Sequence, residues 1–124
     1  MIFDKEFLED MLARAAESPR LRVNHDLRNS ATDTSQRMLN ALAMGTDVPI
    51  HRHENTAETV ICLCGRLEEI IYERDGEAFK EVSRILLGPH EGRYGMQVPM
   101  GAWHTINMLE PSVIFEAKDG MYRG

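Results

Sequence analysis

The sequence predicts an all-β protein, a small antiparallel barrel or jelly roll with a short N-terminal helix. Three observations predict it. From residue 20 onwards, short apolar runs with strand-like alternation follow one another. Turn signals separate them, among them Gly65, Asp75-Gly76, Gly88-Pro89 and Pro99. Only residues 4–17 repeat apolar side chains at helical spacing. A count of about nine short strands suits such a barrel. At 124 residues the chain is one domain with a single core.

The helix is read over residues 4–17. Asp4 caps its start, and Phe3 and Leu8 flank the cap as a staple pair. Phe7, Leu8, Met11, Leu12 and Ala15 make its apolar stripe, and Ser18-Pro19 ends it. The stripe suits packing on the barrel or a two-fold dimer contact. Its polar face carries Glu6, Glu9 and Asp10, which anionic lipid would repel.

Residues 20–28 alternate as a half-buried strand, with Leu21, Val23, His25 and Leu27 on one face. Residues 29–35 are a polar loop, and the next strand runs over 36–44. In it Arg37 shares a face with Leu39 and Ala41, small apolar residues that read as barrel interior. An arginine there needs an anionic partner, which is Glu58, another carboxylate of the chain or the substrate, and the last makes Arg37 a candidate substrate contact. Residues 1–30 therefore read as a helix and strand packing on a barrel of residues 31–124.

After Gly65, Leu67, Ile70 and Ile71 lead to a tight hairpin at Asp75-Gly76, with the return strand over 79–87. Residues 88–92 form a loop in which His90 is solvated. A strand over 93–98 and two more at 103–109 and 112–118 complete the barrel.

The chemistry concentrates between Gly45 and Gly65. A strand places residues i and i+2 on one face, so His51 and His53 can aim at one spot. Glu58 begins the next apolar run and reaches the same spot if that strand pairs back. His104, after Pro99 and Gly101, supplies a fourth ligand from elsewhere. Imidazole and carboxylate suit one divalent transition metal: Fe(II), Zn, Ni and Mn all fit. Tyr94, Gln97, Trp103 and Asn107 flank the second half of this set and are candidate substrate contacts. Cys62 and Cys64, at i and i+2 on one strand, seldom have disulfide geometry and read as a reduced, buried pair, the alternative being a thiolate site for a soft metal.

These residues resemble the cupin superfamily. Its first motif is Gly, five residues, His-x-His, three or four residues, Glu, six residues, Gly, and residues 45–65 fit throughout. Pro99, Gly101 and His104 fit the second motif, whereas Gly92 is one residue early and Asn107 one residue early for it. The resemblance implies a cupin barrel with a metal on His51, His53, Glu58 and His104. A narrower resemblance, to the WbuC-type cupin metalloproteins, lies in residues 18–25, 36–42 and 115–122. It implies an association with lipopolysaccharide O-antigen biosynthesis and a sugar or sugar derivative as ligand.

Composition bounds the rest. The net charge of -6 argues against nucleic acid as partner. No apolar run approaches a membrane span, and the N-terminus lacks a signal-peptide core, so a cytoplasmic protein is expected. No phosphate-cradling glycine loop or dinucleotide fingerprint is present. Two functional readings follow. One is a metal-dependent enzyme, an isomerase, epimerase or dioxygenase, acting on a small oxygen-rich molecule. The other is a non-catalytic ligand-binding or sensor protein.

Overall fold

Asp4 opens the chain's first element by accepting the Phe7 amide on its carboxylate at 2.9 Å, and helix α1 runs Lys5–Glu17 behind it. Phe3, outside the cap, stacks on Phe7 at 5.7 Å. The computed structural model describes residues 1–121, so Tyr122, the last of the resembling residues, lies outside the described part. Among the described residues eight strands follow the helix: β1 Arg22–Asp26, β2 Ser35–Leu42, β3 Glu58–Cys64, β4 Leu67–Asp75, β5 Ala78–Leu87, β6 Gly95–Val98, β7 Trp103–Met108 and β8 Ser112–Asp119.

They form two antiparallel sheets, one ordered β1-β2-β8-β3-β6 and one ordered β5-β4-β7. Leu42, Val60, Cys62 and Ile114 of the first sheet pack on Leu67, Leu87 and Met108 of the second. This apolar layer is the core of the all-β fold. The sequence expected about nine strands. The difference is the segment before β3, where His51 makes only an isolated bridge to His104. Pro49 has no N–H to give a ladder, and Gly45 turns the chain with a φ of +90°.

Helix α1 covers the outer face of the first sheet. Met11 and Ala15 are fully buried against Leu39, Ala41 and Val113. The apolar stripe thus packs on the chain's own sheet, which is the first of its two expected roles. This packing also corrects the reading of Arg37. Leu39 and Ala41 look outward to the helix, because alternate residues Gln36, Asn40 and Leu42 take the inner face. Arg37 lies on the helix side and clips the loop, donating to the carbonyls of Ser35 and Leu27 and to Asp33.

Gly65 joins β3 to β4 at a φ of +89°. A Cβ there would meet the carbonyl of Pro111 and the Ser112 side chain, so the chain approaches too closely for any other residue. Gly76, in the two-residue turn of the β4–β5 hairpin, also has positive φ but nothing within 4 Å of its missing Cβ. Left-handed backbone costs about 1–2 kcal/mol in a non-glycine residue. Gly76→Ala is therefore expected to cost that much. Gly65→Ala should cost more, because the clash adds to it. Urea unfolding of both variants checks this, and equal losses would contradict the close approach.

Candidate metal centre

The segment 48–53 lies along the free edge of β7. The His51 amide donates to the His104 carbonyl at 3.0 Å, and the His104 amide donates back at 2.8 Å. The Thr105 hydroxyl holds the Val48 carbonyl, and the Gly101 amide holds the carbonyl of His53. These bonds set the His-x-His run against the strand that carries His104. The rings of His51 and His104 stand 4.3 Å apart, and those of His51 and His53 5.1 Å. One ligand atom from each of His51, His53 and His104 lies within 4.8 Å of the others. The expectation that His51 and His53 converge through an extended strand is met by a bridged segment instead.

Each imidazole is oriented from behind. The His51 Nδ1–H donates to the Pro49 carbonyl at 2.9 Å. His104 Nδ1 and Glu69 Oε1 share a hydrogen bond at 2.6 Å with both side chains buried, and a metal on Nε2 requires the tautomer in which Nδ1–H donates. Each bond leaves Nε2 as a lone pair directed away from its support. His53 Nε2 lies 2.9 Å from Glu58 Oε2 without hydrogen-bond alignment. The Nε2 atoms of His53 and His104 are both buried and without a hydrogen-bond partner. That donor set fits a transition metal, and these three histidines could hold one.

Glu58 comes from the start of β3, which pairs with β6 and β8 rather than back on the histidine segment. Its carboxylate nevertheless arrives, from the opposite sheet, between His53 and Lys118, whose Nζ lies 3.5 Å away. Burial pushes the Glu58 carboxyl up, but His53, Lys118 and His104 outweigh it and hold it below its ordinary value. Burial lowers His51 and His104, which favours the neutral imidazoles that ligate metal. Burial, then the charge of Glu58, pushes Glu69 up to about 8. Glu116, held by Asn40, is raised by the same two causes.

A cleft of about 680 Å³ opens over the centre, lined by His51, His53, Arg52, Trp103, Gln36 and Lys118 among others. Of the five candidate substrate contacts, Trp103 alone lines it. Its ring carries Arg52 at 4.6 Å and stacks on Phe79 at 5.1 Å. Gln97 bonds the Thr59 hydroxyl on the outer face of β3, and Tyr94 is 61% exposed ahead of β6. Asn107 points outward to Glu68 at 2.8 Å. Sequence reasoning missed Glu69, Glu116 and Lys118. The signal was an acid in register with Leu67, and a polar row alternating with Phe115 and Ala117.

Outer partners of metal-bound histidines typically carry about 10–100-fold in metal affinity. Glu69→Gln, which keeps an acceptor, is expected to weaken Zn(II) binding at the low end of that range, and Glu69→Leu at the high end. Chelator competition measures both, with near-ultraviolet circular dichroism as the check on folding. Unchanged affinity in Glu69→Leu would mean that His104 does not bind through Nε2.

Comparison with solved structures places the fold. KdgF from Halomonas sp. superposes with a TM-score of 0.61 at 16% identity, over 86% of this chain and 84% of that one. Oxalate oxidase in complex with the substrate analogue glycolate superposes with a TM-score of 0.67 at 14% identity, over 88% and 56%. The capsular polysaccharide assembling protein CapF from Staphylococcus aureus does so with a TM-score of 0.66 at 16% identity, over 86% and 30%. This chain thus spans about half of oxalate oxidase and under a third of CapF. The three share the cupin fold, which is what the likeness shows. No curated protein matches the sequence. Residues 3–84 match the family described as Domain of unknown function (DUF6016), and the chain, folded as a cupin, belongs to that family.

Proposed function

We propose that this protein is a metal-dependent cupin that takes a small oxygen-rich molecule, a sugar or sugar derivative of polysaccharide biosynthesis. His51, His53 and His104 would hold one divalent transition metal, with Glu58 as the fourth ligand. The observation that carries the reading is the pair of buried Nε2 atoms on His53 and His104, neither in a hydrogen bond, with the Glu58 carboxylate 2.9 Å from the first. A buried polar atom without a partner is costly, and a cation removes that cost for both at once.

Glu58 supports the fourth place because it is buried and already within 2.9 Å of His53 Nε2. A divalent ion bound there supplies a Lewis acid that polarises a ligand oxygen. The chain's own groups do the rest. The Glu69 carboxyl and the Pro49 carbonyl fix the imidazoles, and the wall of Ile50 and Trp103 shapes the cleft. The sugar assignment is supported by the WbuC-type resemblance and by the likeness in fold to CapF, a capsular polysaccharide assembling protein.

Elemental analysis of protein purified without added metal is expected to find one divalent transition metal per chain. His51→Ala, His53→Ala and His104→Ala should each lose most of it and stay folded, and Glu58→Gln should lose less, since its amide oxygen still coordinates. Full occupancy in any two histidine variants would remove the assignment. For the ligand class, a panel of sugar nucleotides titrated into metal-loaded protein should give at least one binder. A panel without binders would withdraw the sugar and leave the metal site standing.

A further inference from the structure

Lys118 is the one lysine of the cleft; the chain's other two are Lys5 and Lys80. It sits on the inner row of β8, directly across the ladder from Gln36. Its side chain is 15% exposed, so the ammonium group is largely withdrawn from water. Its hydrogen bond to Glu58, at 3.5 Å, is long for a charged pair. The same Glu58 oxygen lies 2.9 Å from His53 Nε2. A metal on His53 draws on that oxygen too, and Lys118 is then left with a shared and weakened partner.

The groups that face this space from the packed elements offer no better one. Gln36 donates its Nε2–H to the Gly120 carbonyl at 2.9 Å, and its Oε1 is buried without a partner. Glu116, two residues along the same row, accepts from Asn40, and burial, then the charge of Glu58, favours its neutral form against the pull of Lys118. Arg52, the other cation of the cleft among the described residues, is bonded to Glu54 at 2.6 Å and lies over Trp103. Asp119 also lines the cleft but stands on the opposite row of β8 from Lys118, and is exposed. Among the described residues, Lys118 is therefore the donor with free capacity, a largely buried charge beside Glu58.

We propose that Lys118 selects ligands carrying a carboxylate, anchoring one oxyanion beside the metal centre. This deepens the reading above and rests on it: within oxygen-rich small molecules, the site prefers acids, such as sugar acids, over neutral polyols. A largely buried ammonium needs an anionic partner, and a carboxylate answers it with a charged hydrogen bond. The distance between Lys118 and the histidines is spanned by Glu58, so one small molecule can meet both.

The test uses Co(II)-loaded full-length protein, whose visible bands report ligands entering the metal's surroundings. Glycolate and its neutral analogue glycolamide are the probes. Glycolate is expected to bind the unaltered protein at least 10-fold more tightly than glycolamide. Lys118→Met, similar in length and without charge, should keep Co(II) affinity within about threefold and erase that preference. Lys118→Arg should restore most of it. Equal binding of the two probes by the unaltered protein would overturn the proposal, as would a preference that survives in Lys118→Met. Loss of Co(II) from Lys118→Met would also overturn it, since the lysine would then serve to hold Glu58. Failure of the unaltered protein to take Co(II) at all is a separate result. It would bring down the metal reading, and this proposal with it.

Discussion

The pair of backbone hydrogen bonds between His51 and His104 is the constraint on which the centre depends. It is a bridge rather than a strand, two bonds between residues 53 positions apart in the chain. Each such bond contributes only about 0.5–1.5 kcal/mol net. Their effect is geometric: they bring two imidazoles to 4.3 Å and leave the neighbouring His53 to close the triangle. Thr105 on Val48 and Gly101 on His53 prevent the segment from sliding. The loop also covers the edge of β7, which would otherwise expose unpaired backbone groups.

Around that bridge the interior is unusually polar for so small a core. Glu58 and Glu69 are buried, His104 is 1% exposed, and Glu116 and Lys118 line the same space. Charges withdrawn from water cost several kcal/mol each unless paired. The pairing present is incomplete, because two Nε2 atoms and one Glu69 oxygen have no partner. Glu69 and Glu116 respond by rising in pKa, Glu69 to about 8, whereas Glu58 is held below its ordinary value by His53 and Lys118. Apolar packing at the other end of the barrel, between Leu42, Leu67, Leu87 and Ile114, carries the stability that this end lacks.

Much of the architecture was legible because the relevant signals are local. The Asp4 cap, the Asp75-Gly76 hairpin and the strand alternation each act over a few residues. The histidine spacing was equally plain, although the segment bearing it proved too bent to be a strand. Arg37 was misread because alternation tells which residues share a face, and not which face is inner. Leu39 and Ala41 are apolar because α1 covers them, and only the tertiary packing of α1 decides that. Glu69 and Lys118 were passed over for a related reason. Their roles come from pairings across 35 and 60 residues, to His104 and Glu58, which no local pattern records.

The metal reading needs three imidazoles, of His51, His53 and His104, to converge on one ion. X-ray absorption spectroscopy of the zinc-loaded protein tests it most directly, since each bound imidazole adds a characteristic outer scattering pattern. The account requires about three imidazoles on zinc at Zn–N distances of about 2.0–2.1 Å, with the remaining ligands oxygen. A site with one imidazole or none, or with sulfur from Cys62 or Cys64, would contradict it.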